Sequence, residues 1–414
     1  MADTKSIIAG HDKYMTINYP RYPIAMQRGD GCLLWDTDDK QYLDLFSGFG
    51  AGILGHCHPA QVAAVTKQAG KLWHVGNLLH TEPQAKLAQA ISEHGFGGRS
   101  YFCHSGADAN EAAFKLARLH GQANPGPAGA RYKVIATSQS FHGRSFATMA
   151  ATGQEKVRKG FEPLLAGFSH VPYNDIEAIK ASIDDQTVAV IVEPIQGEGG
   201  VNVPDDDYLP NLRALCDEHN MLLICDEVWT GCGRTGKYFA HQHWDIEPDA
   251  MTLAKGVGGG LAVAVMCAHP KVAHLFDFET HKSVVHATTL GGNCLSMAVA
   301  AAIFDVLEED NLVEAATTLG EHAAQRMRDF GSKTGIVKEV RGKGLFIGID
   351  LDCESTGTWF DNVGQVANAL LDQGYLINGT QNTVLRLAPP LIVTQAQLDE
   401  GLDAIEAVLR KKPE

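Results

Sequence analysis

An α/β fold is what this sequence predicts: a mostly parallel central sheet with helices on both faces, plus a smaller α+β domain drawn from the two termini. Three observations predict it. Between about residues 50 and 300, short apolar runs alternate with stretches of helical spacing; those runs end in polar residues or glycine; and after about residue 300 the texture changes to a long helix, separate strands and a capped amphipathic helix. Alternation of this kind marks parallel sheets, whose strands are buried on both faces and read as unbroken apolar runs. The chain has 414 residues, beyond the size at which one core keeps growing. The expected division is an N-terminal segment over 1–50 that joins the small domain, a large domain over 51–300 and the C-terminal part of the small domain over 301–414.

The elements follow in order. Residues 33–45, LLWDTDDKQYLDL, set two apolar runs around a polar turn, which predicts a hairpin. The aspartates of that turn lack the later Gly and Glu of a calcium loop. The runs KVIAT (133–137), VAVIV (188–192), LLIC (222–225) and AMTLA (250–254) predict strands, and 107–120 and 208–219 predict helices. ANPGPAGA at 123–130 reads as a loop, and 295–308 as the long helix leaving the large domain. RGKGLFIGIDL then predicts a turn and a strand, and VLRLAPP a further strand. Thr394 and Gln397 form a capping-box pattern ahead of Leu398, Leu402, Ile405 and Leu409 on one helix face.

Composition excludes several classes. The formal charge of −15 argues against nucleic acid as the main partner. Apolar runs such as Leu261–Ala268 are too short to cross a bilayer and read as buried strands. The nine cysteines form no C-x-x-C pair, and MADTKSIIAGHDKY has no apolar signal-peptide region, so reduced thiols and a cytoplasmic location are expected.

In open parallel sheets, functional residues lie beyond the carboxyl ends of strands. Glu193 follows AVIV, Asp226 follows LLIC and Lys255 follows MTLA. Buried charge is costly unless paired or functional, and together at successive strand ends these residues favour a site over separate structural ion pairs. A lysine followed by Gly256 and Gly258–Gly260 suits imine formation with an aldehyde; no Gly-Lys-Ser/Thr completes a Walker loop. Pyridoxal phosphate (PLP) needs a carboxylate beside its ring nitrogen, a role for Asp226, with Val228 on the same side to pack under the ring. Ser105, Gly106 and Ala107 open the helix at 107–120 and offer an anion site, although Ser105 also reads as a plain N-cap. Phe141, His142 and Arg144 follow the strand at 133–137; an aromatic there can stack on a ring and Arg144 can grip a carboxylate. The G-x-G-x-x-G match at Gly231–Gly236 precedes YFAHQHW rather than an apolar helix, which disfavours a dinucleotide site. The pairs His56/His58 and His241/His243 bring no third ligand nearby in sequence, so no metal is expected.

These residues, in this order, resemble the class III (ω-amino acid) aminotransferases of PLP fold type I from about Tyr42 to Leu391. The carrying motifs are GHCHP at 55–59, SGADANEAAFKLAR at 105–118, FHGRS at 141–145, EPIQGEGG at 193–200, DEVWTGCGRTG at 226–236, LAKGVGGG at 253–260, TTLGGN at 288–293 and RLAPPL at 386–391. The resemblance implies a homodimer with its site at the subunit interface and PLP as cofactor. Lys255 matches the Schiff-base lysine, Asp226 the pyridinium partner, Ser105 and Gly106 the phosphate cup and Phe141 the stacking aromatic. Thr289 matches the threonine that reaches the phosphate of the neighbouring subunit. Arg386 matches the arginine that binds the α-carboxylate of glutamate, and Glu198 the glutamate that pairs with it while an ω-amine is bound. Arg144 would hold the distal carboxylate of an ornithine-like donor. Within the class, HVGNLLHTEPQAKLA at 74–88 is most similar to acetylornithine aminotransferases of arginine synthesis. Phe49 stands where ornithine aminotransferases carry a tyrosine that meets the free α-amine; phenylalanine cannot accept that hydrogen bond, which leans toward an acylated donor. Other ω-transaminases, and a decarboxylase or aminomutase on the same scaffold, are the alternatives; Glu198 with Arg386 favours transamination. The chain departs from the family pattern at Trp229, in place of a glutamine near the ring hydroxyl, at Leu261-Ala262-Val263 and at Leu290.

Overall fold

A computed structural model describes residues 3–354 and 357–411. Near the N-terminus, β1 (Met26–Asp30), β2 (Leu33–Asp36) and β3 (Gln41–Asp44) form an antiparallel meander. The turn between β2 and β3 is built by the buried Asp36, whose Oδ1 accepts from the amides of Asp38 and Lys40 at 2.9 Å each. An Asx-type turn, with a local carboxylate replacing backbone acceptors, is what the clustered aspartates encode.

The central sheet comprises β4 (Arg99–Cys103), β5 (Lys133–Thr137), β6 (Phe168–Val171), β7 (Thr187–Val192), β8 (Leu222–Asp226), β9 (Ala250–Leu253) and β10 (Ala264–Ala268), in the spatial order β4-β10-β9-β8-β7-β5-β6. Strands β6, β5, β7, β8 and β9 are parallel, and β10 runs opposite to its neighbours β9 and β4. The reversal has a local cause: the chain goes from β9 to β10 through a short glycine-rich turn, whereas a parallel return needs a crossover of a dozen or more residues. Every residue of β7, β8, β9 and β10 is buried. The helix Gly106–Ala123 covers one face through Ala113, Phe114 and Leu116 against Val188, Ile191 and Ile224. The helix Tyr208–Glu218 covers the other through Leu209, Leu212 and Leu215 against Val190, Val192 and Leu223.

The helices Cys294–Glu309 and Leu312–Thr334 lead away from this sheet. Strands β11 (Val337–Lys343), β12 (Phe346–Leu351), β14 (Asn378–Thr380) and β15 (Val384–Leu387) form an antiparallel sheet in the order β11-β12-β15-β14. Arg341–Lys343, expected as part of a turn, extend β11; Gly344, with φ +55°, and Leu345 make the two-residue turn. The short β13 (Tyr375–Leu376) pairs in parallel with β3, which ties the C-terminal region to the N-terminal meander. The last helix, Gln395–Arg410, has its capping box at Thr394 and Gln397 and buries Leu398, Leu402, Ile405 and Leu409. Among the described residues no helix is long and apolar enough to cross a membrane, and the cysteines are unpaired.

Candidate active site

The carboxyl ends of β5, β7, β8 and β9 converge with the start of the helix Gly106–Ala123 on a cavity of about 350 Å³. It is lined by Ser105, Gly106, Ala107, Phe141, His142, Arg144, Glu198, Asp226, Val228 and Lys255, so most residues expected at the site share one space.

Asp226 closes β8. Its Oδ2 accepts from Asn110 Nδ2 and lies against His142 Nδ1, both at 2.8 Å, and its Oδ1 accepts from the Val228 amide at 3.0 Å. Asn110 projects from the helix Gly106–Ala123; it also donates to the His142 carbonyl at 2.8 Å and accepts from Thr252 Oγ1 at 2.7 Å. A carboxylate has about four lone-pair sites, so this ring of donors fixes its orientation and still leaves capacity for one more donor. Burying such a group is tolerable only with partners of this kind.

Lys255, two residues beyond the end of β9, sits at φ +47°, a backbone region a lysine rarely adopts. Burial pushes its amine down to about 8; Glu198, Asp226 and Glu193 pull the other way, and Arg386 adds to the fall. A buried amine that sheds its proton near neutral pH is the form a nucleophile needs. Glu193, at the end of β7, accepts from the Phe141 amide at 2.9 Å and the Gly197 amide at 3.0 Å. Burial pushes its carboxyl up to about 7, with Asp226 adding to that and His142 opposing it. Glu193 thereby ties the loop carrying Phe141 to the segment carrying Glu198.

At the helix start, Ser105 Oγ accepts from the Asp108 amide at 3.2 Å, which leaves the first helical amides for another acceptor. A Cβ on Gly106 would fall 3.0 Å from both Val228 methyls, so glycine lets helix start and strand end close up. This cradle of helix amides and the lone-pair capacity on Asp226, facing a buried amine, fit a phosphorylated pyridine aldehyde. Arg144 is exposed at the cavity, its guanidinium 5.7 Å from the Phe141 ring.

Arg386 enters from β15. Its Nη1 donates to Glu198 Oε1 at 2.9 Å and to the Gly197 carbonyl at 3.3 Å; its Nε and Nη2 both meet Asn378 Oδ1. The Arg386 side chain is 1% exposed and that of Glu198 27%. Burial lowers the guanidinium's pKa and Glu198 opposes that fall. The Glu198 main chain is pinned, its carbonyl accepting from Thr380 Oγ1 at 3.0 Å and Gln381 Nε2 at 2.8 Å.

Three expected residues are absent from the cavity lining: Arg386, which reaches it through Glu198, and Phe49 and Thr289, which lie elsewhere. Phe49 is 52% exposed, outside the cavity lining, with its ring 4.5 Å from that of Phe46. Thr289 is exposed and lines a separate cleft of about 660 Å³ with Asn77, Tyr101 and Thr288. Asn110, Thr252 and Asn378 escaped the sequence reading; only Asn110 carried a signal, as a lone amide among alanines on an apolar helix face. The glycine-rich 231–236 segment carries Arg234, which is fully buried and donates to the Leu345 carbonyl at 3.1 Å. His241 Nδ1 is held by Glu227 at 2.9 Å and His56 Nε2 by Asp44 at 2.9 Å.

The family model described as aminotransferase class-III matches residues 14–409. An acetylornithine aminotransferase of Caldanaerobacter subterraneus is 43% identical, covering 97% of this chain and 99% of that protein. A succinylornithine transaminase/acetylornithine aminotransferase of Pseudomonas aeruginosa is 41% identical, covering 97% of each. Among solved structures, an ornithine aminotransferase of Toxoplasma gondii, described with partial occupancy of PLP at its active site, superposes with a TM-score of 0.91 at 30% identity, over 98% of this chain and 94% of that one.

Proposed function

This chain belongs to the class-III aminotransferase family, and we propose that within it the chain moves the ω-amino group of N-acetylornithine to 2-oxoglutarate, giving N-acetylglutamate semialdehyde and glutamate. The observation that carries the reading is the Glu198–Arg386 pair at 2.9 Å, whose Glu198 lines the cavity with Lys255 and both of whose charges act on the Lys255 amine. One site must serve a donor with no carboxylate near its reacting carbon and an acceptor with one. A pinned backbone with a partly exposed side chain lets Glu198 neutralise Arg386 for the donor and turn away for the acceptor. Charge-assisted bidentate pairing then makes Arg386 the seat of the acceptor's carboxylate.

Pyridoxal 5′-phosphate would be held by Lys255 at its aldehyde and by Ser105, Gly106 and Ala107 at its phosphate. Phe141 would stack on its ring, Val228 pack beneath it and Asp226, braced by His142, meet its nitrogen. When bound, the cofactor supplies the aldehyde that carries the amino group and a protonated ring that withdraws electrons. Lys255, released as an amine of lowered pKa, is the group placed to move the proton at the reacting carbon. Arg144, at the mouth of the cavity, would take the donor's distal carboxylate. Phe49 lies outside the cavity lining, so the acylated donor of arginine synthesis rests on the likeness to acetylornithine aminotransferases. The exposed Thr289 suits a homodimer in which it reaches the neighbouring copy's phosphate. The division near residues 50 and 300 accords with the β3–β13 pairing that joins the two ends of the chain.

The test supplies the PLP-loaded protein with 2-oxoglutarate and, in turn, N-acetylornithine, N-succinylornithine, ornithine and 4-aminobutyrate, and measures glutamate formed. N-acetylornithine is expected to give the highest kcat/KM. A strong preference for ornithine without its acyl group would overturn the choice of donor.

A further inference from the structure

Arg386 poses a problem that the Glu198 pair does not solve. Its guanidinium is almost fully buried, and a buried cation that loses its counter-ion is strongly disfavoured. If Glu198 turns away before a carboxylate arrives, something else must keep the cation in place. Asn378 and the Gly197 carbonyl supply hydrogen bonds. Glu193 adds a second negative charge at longer range, and two aromatic rings lie close: the Trp229 ring, 4.5 Å from the guanidinium carbon, and the Phe46 ring at 5.9 Å.

Trp229 is seated with unusual care. It is buried, follows β8 by three residues and lies against Phe346 with ring centroids 5.2 Å apart. A Cβ on Gly50 would fall 2.3 Å from its Nε1, and a Cβ on Gly197 2.6 Å from its Cε3, so two glycines make room for the indole edges. Gly50 has φ +80°, which a side chain would strain as well. The Lys255 amine also lies over this indole, 3.9 Å from a ring centroid. Its Nε1 has no hydrogen-bond partner, so the ring is held by shape and by its contacts with the Arg386 guanidinium and the Lys255 amine rather than by its polar atom. Guanidinium groups are weakly hydrated and stack well on aromatic faces, and a desolvated cation–π contact is stronger than an exposed one.

We propose that Trp229 is a positioning residue: its indole face keeps the Arg386 guanidinium seated while Glu198 is away, and so sets how tightly the site takes a dicarboxylate. The inference rests on the reading of Arg386 and Glu198 as the carboxylate gate. A glutamine or an aliphatic side chain at 229 would offer hydrogen bonds or bulk but no π face, so the tryptophan gives this chain its own dicarboxylate affinity on a shared scaffold.

Glutarate, a dicarboxylate with no keto group to react, is the probe. Its dissociation constant is measured by calorimetry on the PLP-loaded wild type, W229F and W229M. Loss of the π face in W229M should weaken glutarate roughly tenfold, whereas W229F should stay within about threefold of wild type. A second readout needs only variants that keep a ring. Glutarate should change the tryptophan emission of the wild type, and W229F should lose that response. Equal glutarate affinity in all three proteins, or an emission response that survives in W229F, would overturn the role of Trp229 alone. A wild type that binds no glutarate would overturn the carboxylate gate itself, and this inference with it.

Discussion

Replacing Glu198 by glutamine isolates the charge of the proposed gate while keeping its shape. The pair to be broken is short, 2.9 Å, with one partner 1% and the other 27% exposed. Exposed pairs contribute about 0.2–1 kcal/mol, and breaking a fully buried pair costs about 3–5 kcal/mol. A half-shielded pair falls between, at about 2 kcal/mol, or roughly 30-fold in an equilibrium or rate constant. The direction differs between the half-reactions. The donor brings no carboxylate to Arg386, so in E198Q its reacting carbon faces a buried guanidinium stripped of its paired carboxylate, and kcat/KM for amine donation should fall by about 30-fold. The acceptor no longer has an ion pair to displace, so 2-oxoglutarate should bind more tightly. Rapid mixing of each loaded form with a single substrate, followed by the cofactor's visible absorbance, reads the two half-reactions separately. Losses of similar size and sign in both would refute the gate.

Three further outcomes follow from the same geometry. For the protein without PLP, the Lys255 amine has a folded-state pKa of about 8 against the ordinary 10.5. The unfolded chain therefore binds more protons between those values, and this residue's contribution to stability is lost as pH falls from 10.5 to 8 and gained as it rises. PLP-free K255M should be the more stable protein at pH 7, with the gap narrowing toward pH 10 in denaturant unfolding; a gap independent of pH would contradict the burial argument. Asn110→Ala leaves the Thr252 hydroxyl and the His142 carbonyl without their partner and should cost about 1–3 kcal/mol. It should also weaken PLP binding in an equilibrium titration, and unchanged stability and affinity would contradict its bracing of Asp226. Gly50→Ala forces a Cβ against Trp229 at φ +80° and should cost about 2–4 kcal/mol, with an unaltered unfolding midpoint as the contrary result.

Much of the site was legible because strand ends in a parallel sheet are one-dimensional features. A polar residue directly after a buried apolar run is visible without coordinates, and Glu193, Asp226 and Lys255 each have that form. The helix start at the cavity was legible for the same reason: Ser105 and Gly106 open a helix with clear periodicity. What escaped depended on long-range approach. Asn378 reaches Arg386 across neighbouring strands, and Thr252 reaches Asn110 from a different element. The stretch AMTLA predicted β9, but the antiparallel direction of β10 follows from the shortness of the turn after Lys255 rather than from any hydrophobic pattern. Trp229 stood out in sequence only as a departure; its contacts with Lys255 and Arg386 needed the ends of chain segments far apart in sequence brought to one indole.

Reduction with borohydride of the protein loaded with PLP, followed by peptide mass spectrometry, tests the attachment on which the whole account turns. A single phosphopyridoxyl adduct on Lys255, in the peptide containing MTLAKGVGGG, is the predicted result. An adduct on another lysine, or none at all, would contradict it.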